Sequence, residues 1–220
     1  QYLTRIKANG TRLARMITDL LDLSRVEAGK LVLSFEQVCL PTIVSDVIEQ
    51  LLPLAITKHL NIGLHSPDPE LLVWADQDRL SQILTNLLDN AIMYSPGGGQ
   101  VSVELSVDTH DMARIVIRDN GQGIPPDALP KLFDPFFRVQ QEERSQTKGL
   151  GLGLAIVKDL VDLHGGSITV RSEVDQGTEF TFTLPLHSRE PSPAGQLPAV
   201  RRTVLVVDDD PDICDLLRDR

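Results

Sequence analysis

The chain has 220 residues, enough for one medium domain with appendages or two small ones. At 41% hydrophobic and 24% charged it has an ordinary balance for a globular protein. Its formal net charge of −10 argues against nucleic-acid binding through a general basic surface, and no apolar run approaches the roughly 20 residues that cross a bilayer. Cys39 and Cys214 lie far apart and outside any CxxC spacing, which speaks against a disulfide framework and fits a reducing compartment.

In chain order, residues 2–24 carry Leu3, Ile6, Leu13, Met16, Ile17, Leu20, Leu21 and Leu23 at spacings of three and four, an amphipathic helix. Its apolar stripe suits either a partner helix or its own domain. SRVEAGK (24–30) ends it, with Gly29 as C-cap. LVLSFEQV (31–38) alternates like a strand. Pro41 opens a helix that reaches about Lys58, with a kink or break expected at Pro53. Short strands follow near 60–65 and 71–75, then a helix over 77–93 with Asp76 as N-cap. After the breaker PGGG come two period-2 strands, QVSVELSVD and ARIVIRD, joined near 108–112. A loop-rich stretch covers 119–150, followed by a helix over 151–164 and the strands SITVRSE and TEFTFTLPL. This order predicts an α/β layer sandwich with a mainly antiparallel sheet. Residues 188–202 have linker composition, after which TVLVVDDDPDICDLLRDR restarts as strand, acidic turn and helix.

Four segments carry chemistry. In NLLDNA (86–91), Asn86 and Asn90 share a helix face, while Leu80, Ile83, Leu84, Leu87 and Leu88 turn to the core. Two amides in line can ligate a hard cation or bond phosphate; a solvated polar face is the other reading. DNGQGIP (119–125) is either a turn or a ligand site. In the second reading the Asp119 carboxylate accepts from an exocyclic amine, and Gly121 and Gly123 let a flat ring approach. KLFDPFFR (131–138) sets three phenylalanines beside Arg138, as core packing or as a hinge for a lid with Arg138 open to anionic phosphates. In KGLGLGLAIVK (148–158), Gly149, Gly151 and Gly153 run into a helix N-terminus, an anion site by geometry and dipole or else a flexible loop. The polar stretch QQEERSQTK before it suits a lid better than a rigid strand-to-helix turn.

The ordered set NLLDNAIMYSP, DNGQGIP, FDPFFR and GLGLGLAIVK resembles the four signature boxes of sensor histidine kinases. Their ATP-binding domain belongs to a group shared with gyrase, Hsp90 and MutL. LLDLSRVEAGKL resembles the end of their second dimerisation helix, and HGGSITVRSEVDQGTEFTFTLP resembles their last strands. VLVVDDDPD resembles the start of a receiver domain, which would make the parent a hybrid kinase; Asp208 and Asp209 resemble the paired acidic residues of receivers. The resemblance implies an α+β, two-layer sandwich with a mixed, mainly antiparallel sheet covered by helices on one face, preceded by an amphipathic dimerisation helix. Residues 1–30 would be the second dimerisation helix, 31–187 the ATP-binding catalytic domain, 188–202 a flexible linker and 203–220 a truncated receiver start.

The same resemblance implies ATP and Mg2+ as ligands. Asp119 would accept the adenine amino group, with Gly121 and Gly123 shaping the base pocket and Thr178 supporting the adenine end. Asn90, with Asn86 as second candidate, would hold Mg2+, and Tyr94 would line the nucleotide site. Lys148, Gly149, Leu150, Gly151, Leu152 and Gly153 would cover the phosphates, and Arg138 would meet the terminal one. Implied partners are a second copy through the dimerisation helices and a receiver or response regulator. The catalytic region would be cytoplasmic, with membrane contact only through segments upstream of Gln1. The family's phosphoacceptor histidine would also lie before residue 1. None of His59, His65, His110, His164 and His187 sits in a matching motif, and His164 reads as a helix cap. Met93 stands where the family often has a phosphate-facing lysine, which Arg138 or Lys148 could replace. An ATP-driven clamp and a degenerate nucleotide-binding scaffold are the competing functions.

Overall fold

The structure, a computed structural model, describes residues 10, 16–18, 20–26, 28–139 and 150–186. Most of the 2–24 helix, Lys148, Gly149, the 188–202 linker and the receiver-like 203–220 stretch lie outside the described residues.

Five strands form the main sheet: β2 (Asn61–His65), β4 (Gln100–Val107), β5 (Met112–Asp119), β6 (Ser167–Glu173) and β7 (Gly177–Pro185). Their spatial order is β2-β4-β5-β7-β6, with β2 parallel to β4 and every other pair antiparallel. Strict alternation sorts the two faces. Val101, Val103 and Leu105 of β4, Ala113, Ile115 and Ile117 of β5, and Phe180, Phe182 and Leu184 of β7 point to the core. The opposite face carries Arg118, bonded to Glu104 and Glu179 across the neighbouring strands.

Three helices, α1 (Leu40–Thr57), α2 (Gln77–Tyr94) and α3 (Gly153–Leu163), supply much of the rest of that core. In α2, Leu80, Ile83, Leu84, Leu87 and Leu88 are fully buried, as the sequence spacing requires. Truncating one of them to alanine would cost about 2–5 kcal/mol. Asp76 caps α2 by accepting from the Arg79 N–H at 3.0 Å. Helix α1 reaches a mean hydropathy of 1.3 but is packed as a core helix, burying Leu40, Ile43, Val44, Val47 and Ala55. It is not broken at Pro53. That residue lies on the exposed side, where solvent reaches the carbonyl freed by its missing N–H, and its own carbonyl accepts from the Thr57 hydroxyl at 2.8 Å.

Two further expectations are corrected. The strand expected over 31–38 is reduced to β1 (Glu36–Cys39), and it pairs only with β3 (Leu72–Ala75), apart from the main sheet. In this antiparallel register Glu36 faces Ala75, so Phe35 would face Asp76, where the chain already turns into α2. The Ser34 N–H goes instead to the Asp76 carboxylate at 2.8 Å. The second correction is at α3, which begins at Gly153 rather than 151, because Gly151 has a left-handed φ of 74° that cannot continue into the helix.

The N-terminal helical segment ends as expected. Gly29 has φ 62°, its N–H meets the Val26 carbonyl at 2.9 Å, and the Lys30 N–H meets the Arg25 carbonyl at 2.8 Å. Asp22 and Leu23 are buried against the domain, whereas Ile17, Leu20 and Leu21 stay about half exposed. Arg79 and Gln82, one turn into α2, bond the Asp22 carboxylate at 2.7 and 3.0 Å. Among the described residues the helix thus uses one edge for its own domain and leaves Ile17, Leu20 and Leu21 open.

His164 caps α3 and does more. Its Nε2 accepts from the Asp76 N–H at 3.1 Å, so Nδ1 carries the hydrogen and donates to the Leu160 carbonyl at 2.7 Å. Phe35 packs edge-on to the ring at 5.4 Å. Burial lowers the pKa of this neutral imidazole, with the Leu160 carbonyl and Asp76 opposing. As pH falls through the ordinary 6.5 the unfolded chain takes up a proton more readily than the folded one, so stability is lost as pH falls through that window. The slope is at most about 1.4 kcal/mol per pH unit for one proton. Thermal melts from pH 7.5 down to 5.5 should therefore fall more steeply for the native chain than for His164→Gln. A second expectation concerns Arg79→Met, which removes the Asp22 carboxylate's charged partner and leaves it only the Gln82 amide. Amide exchange should accelerate over residues 20–26 and stay slow in the β4–β5 core.

Candidate functional site

One row of the sheet departs from the pattern of the others. Val103, Ile117, Phe180 and Val170 are successive cross-strand partners on the helix-covered face, and so are Leu105, Ile115, Phe182 and Ile168. One step further along the same face, the row reads Val101, Asp119, Thr178 and Ser172. The alternation that buries Ile115 and Ile117 carries Asp119 to the same side, at the end of an apolar ladder.

The Asp119 carboxylate accepts from the Gly121 N–H at 2.8 Å, and the Thr178 N–H also bonds it. Burial pushes the carboxyl above its ordinary range, and the two N–H groups pull part of that shift back. Its chemistry is that of a desolvated acceptor held in place by main chain, suited to an exocyclic amine.

Around it the chain closes tightly. Gly123 (φ 68°) approaches β6 so closely that a Cβ would lie 2.0 Å from the Glu173 carbonyl. Gly177 (φ 98°) approaches β5 likewise, with a Cβ 2.0 Å from the Asp119 carbonyl. The Gln122 N–H meets the Tyr94 carbonyl at 3.4 Å, which brings the end of α2 to the 119–125 loop. Lys58 holds that helix end by donating to the carbonyls of Ile92 and Met93 at 2.9 and 2.5 Å. The ammonium therefore reaches the main chain at Met93, not its side-chain position.

The second half of the site is the start of α3. Its N-cap is Leu152, which offers no side-chain acceptor, and its first turn carries no acid. The free N–H groups and positive dipole end suit an anion. Gly153 begins the helix against α2, with a Cβ placed there 3.6 Å from the Asn86 carboxamide oxygen. Asn86 is buried and Asn90, one turn on, half-buried. Leu150 is exposed and Leu152 buried. The Phe136 N–H donates to the Gly151 carbonyl at 3.0 Å, which ties the 131–138 segment to the glycine-rich one and leaves Arg138 exposed two residues further on. Of its three phenylalanines, Phe133 packs against the core and Phe136 is 59% exposed at φ 66°.

The structure thus joins Asp119, Gly121, Gly123, Tyr94 and Thr178 in one half, and Asn86, Gly151, Leu152 and Gly153 in the other. No described cluster of three or more His, Cys, Asp or Glu could hold a metal. A cation here would rely on the carboxamide oxygens of Asn86 and Asn90 with phosphate oxygens completing its shell, a donor set that fits Mg2+. Ser172, Gly177 and Lys58 escaped the sequence reading. Period-2 counting along SITVRSE places Ser172 on the face of Ile168 and Val170, and that signal was available.

A family profile described as "Histidine kinase-, DNA gyrase B-, and HSP90-like ATPase" matches residues 75–188. The chain is 38% identical over 184 residues to "Sensor histidine kinase RppB" of Synechocystis sp., covering 83% of this chain and 40% of that protein. It is 35% identical over 228 residues to "Circadian input-output histidine kinase CikA" of Synechocystis sp., covering 98% of this chain and 30% of that one. A solved structure of full-length ShkA in complex with AMPPNP superposes with a TM-score of 0.73 at 32% identity, covering 86% of this chain and 39% of that chain. The chain therefore spans at most about two fifths of these relatives. The four boxes, the mixed sheet with its helices on one face and these matches agree: the chain belongs to the histidine kinase-, DNA gyrase B- and HSP90-like ATPase family.

Proposed function

We propose that this chain is the catalytic part of a hybrid sensor histidine kinase, which binds Mg-ATP and hands its γ-phosphate to a histidine on a dimerisation helix for relay to a receiver aspartate. The observation that carries the reading is the half-buried Asp119 carboxylate at the end of the apolar ladder, fixed by the Gly121 N–H at 2.8 Å. The names of the relatives, and the nucleotide analogue in the ShkA complex, support it.

In this reading Asp119 accepts from the adenine amine, Gly121 and Gly123 admit the ring, and Tyr94 borders it. The first turn of α3 binds the phosphates, with Gly149, Gly151 and Lys148 over them and Arg138 at the terminal one. Asn90 and Asn86 hold Mg2+, which when bound neutralises charge on the phosphate oxygens. The rest is positioning: the chain aligns the γ-phosphate and leaves the nucleophile to the acceptor helix. The parent works as a homodimer through its dimerisation helices, with this region in the cytoplasm.

Calorimetric titration with Mg-ATP tests the base pocket. Asp119→Asn keeps the shape but turns an amide toward the amine, so affinity should drop at least about tenfold, or 1.4 kcal/mol. The nucleotide-free melting temperature should not fall, because a desolvated charge is removed. Wild-type affinity should decline on acidification at a pH above that of an ordinary carboxyl at 3.8, and the Asn variant should lack that decline. Asn90→Ala should bind ATP in EDTA as the wild type does yet lose the gain that Mg2+ confers. In the full-length parent it should abolish acid-labile, alkali-stable labelling from γ-labelled ATP. Labelling that survives in that variant would remove Asn90 from the reaction, and a folded wild type that binds no ATP would overturn the kinase reading.

A further inference from the structure

We infer that Ser172 is a positioning residue that sets adenine specificity, by committing the Thr178 hydroxyl hydrogen and leaving that oxygen as an acceptor beside Asp119. This rests on the nucleotide-binding reading above and names what selects the base.

Hydrogen counting carries it. Ser172 Oγ has one hydrogen, and it goes to the Gly177 carbonyl at 2.7 Å, a group that can only accept. The same oxygen accepts from the Ile124 N–H at 2.8 Å. The remaining bond of Ser172, 3.0 Å to Thr178 Oγ1, must then be donated by Thr178. Strand β7 lies between β5 and β6, so Ser172 and Asp119 flank Thr178 on opposite sides. The Thr178 hydrogen therefore points toward Ser172, away from Asp119, and oxygen lone pairs remain on the Asp119 side.

The geometry is held from several directions. Gly177 brings β7 against β5, Asp175 donates its N–H to the Gln122 carbonyl at 2.8 Å, and Thr178 itself is buried. A base in this pocket meets two acceptors in a row, a carboxylate and a hydroxyl oxygen. An exocyclic amine suits them. A keto oxygen at the same ring position sets lone pairs against both and leaves them unpaired, the arrangement by which polar sites reject a wrong group most strongly. If the Thr178 hydrogen were free, its hydroxyl could turn and donate to the keto group, and discrimination would weaken.

The test compares Mg-ATP with Mg-ITP, which carry an amine against a keto group at C6 and, with it, an acceptor against an N–H donor at N1, by calorimetry on the full chain. Wild type should prefer ATP. Ser172→Ala should shrink the ATP-to-ITP affinity ratio at least tenfold, chiefly by improving ITP binding, and Ser172→Thr, which keeps the hydroxyl, should restore the ratio. Thr178→Val removes the acceptor outright, leaves the Ile124 N–H bonded to Ser172, and serves where Ser172→Ala does not fold. It should weaken ATP without weakening ITP. A residue that merely supported the fold would lower both affinities together and leave the ratio alone. Unchanged ratios in folded Ser172→Ala and Thr178→Val, with ATP bound normally by the wild type, would overturn this inference alone. A folded wild type that binds neither nucleotide would overturn the nucleotide-binding reading and this inference with it.

Discussion

The site depends on a single placement: a carboxylate at the end of an otherwise apolar cross-strand ladder. Asp119 occupies the face that buries Ile115 and Ile117, and the desolvation cost is offset in part by two main-chain N–H groups, from Gly121 and Thr178. Those donors exist because the chain turns sharply after β5 and because β7 runs beside it. The close approaches at Gly123 and Gly177 follow from the same need. A partly desolvated acceptor costs the folded protein some stability and favours a ligand that brings an amine. Stability and recognition pull in opposite directions at this residue.

The two helices that frame the site end their N-termini differently, and the difference sorts structural from functional use. Helix α2 is closed by Asp76, whose carboxylate also takes the Ser34 N–H and whose own N–H is taken by His164. Helix α3 begins at Leu152 and Gly153 with no side-chain cap, against Asn86. A closed end anchors the incoming chain; an open one keeps its donors for an anion.

Asp76 is also where the N-terminal segment meets the core. Through Ser34 and Phe35 the stretch that leads from the amphipathic helix is fixed to α2 and α3, and Asp22 adds a contact to Arg79 and Gln82 one turn along. The N-terminal helix is therefore held at the start of α2, whereas Asn86 and Tyr94 of the candidate site lie along its second half. These contacts mix polar bonds with the apolar packing of Leu23 and Phe35, whereas Ile17, Leu20 and Leu21 remain exposed.

Local pattern alone determined a good deal. The 3.6-residue spacing of α2 fixed its buried leucines, the Asp76 cap its start, and period-2 alternation β4, β5, β6 and β7, because each signal needs only neighbours in sequence. The motif order brought Asp119, Asn86, Gly121, Gly123, Gly151 and Gly153 forward as candidates for the same reason. Pairing partners are not local, and there the sequence fell short. LVLSFEQV alternates along its length but gains a ladder only from Glu36, where β3 supplies one, and β1 with β3 stays outside the main sheet. Pro53 could be read as a break, yet whether a missing N–H matters depends on solvent access to the freed carbonyl. Ser172 looked like one more strand serine until the fold set it beside Thr178 and Ile124. Hydrogen-bond roles follow from which groups meet in space, and only the tertiary structure decides that.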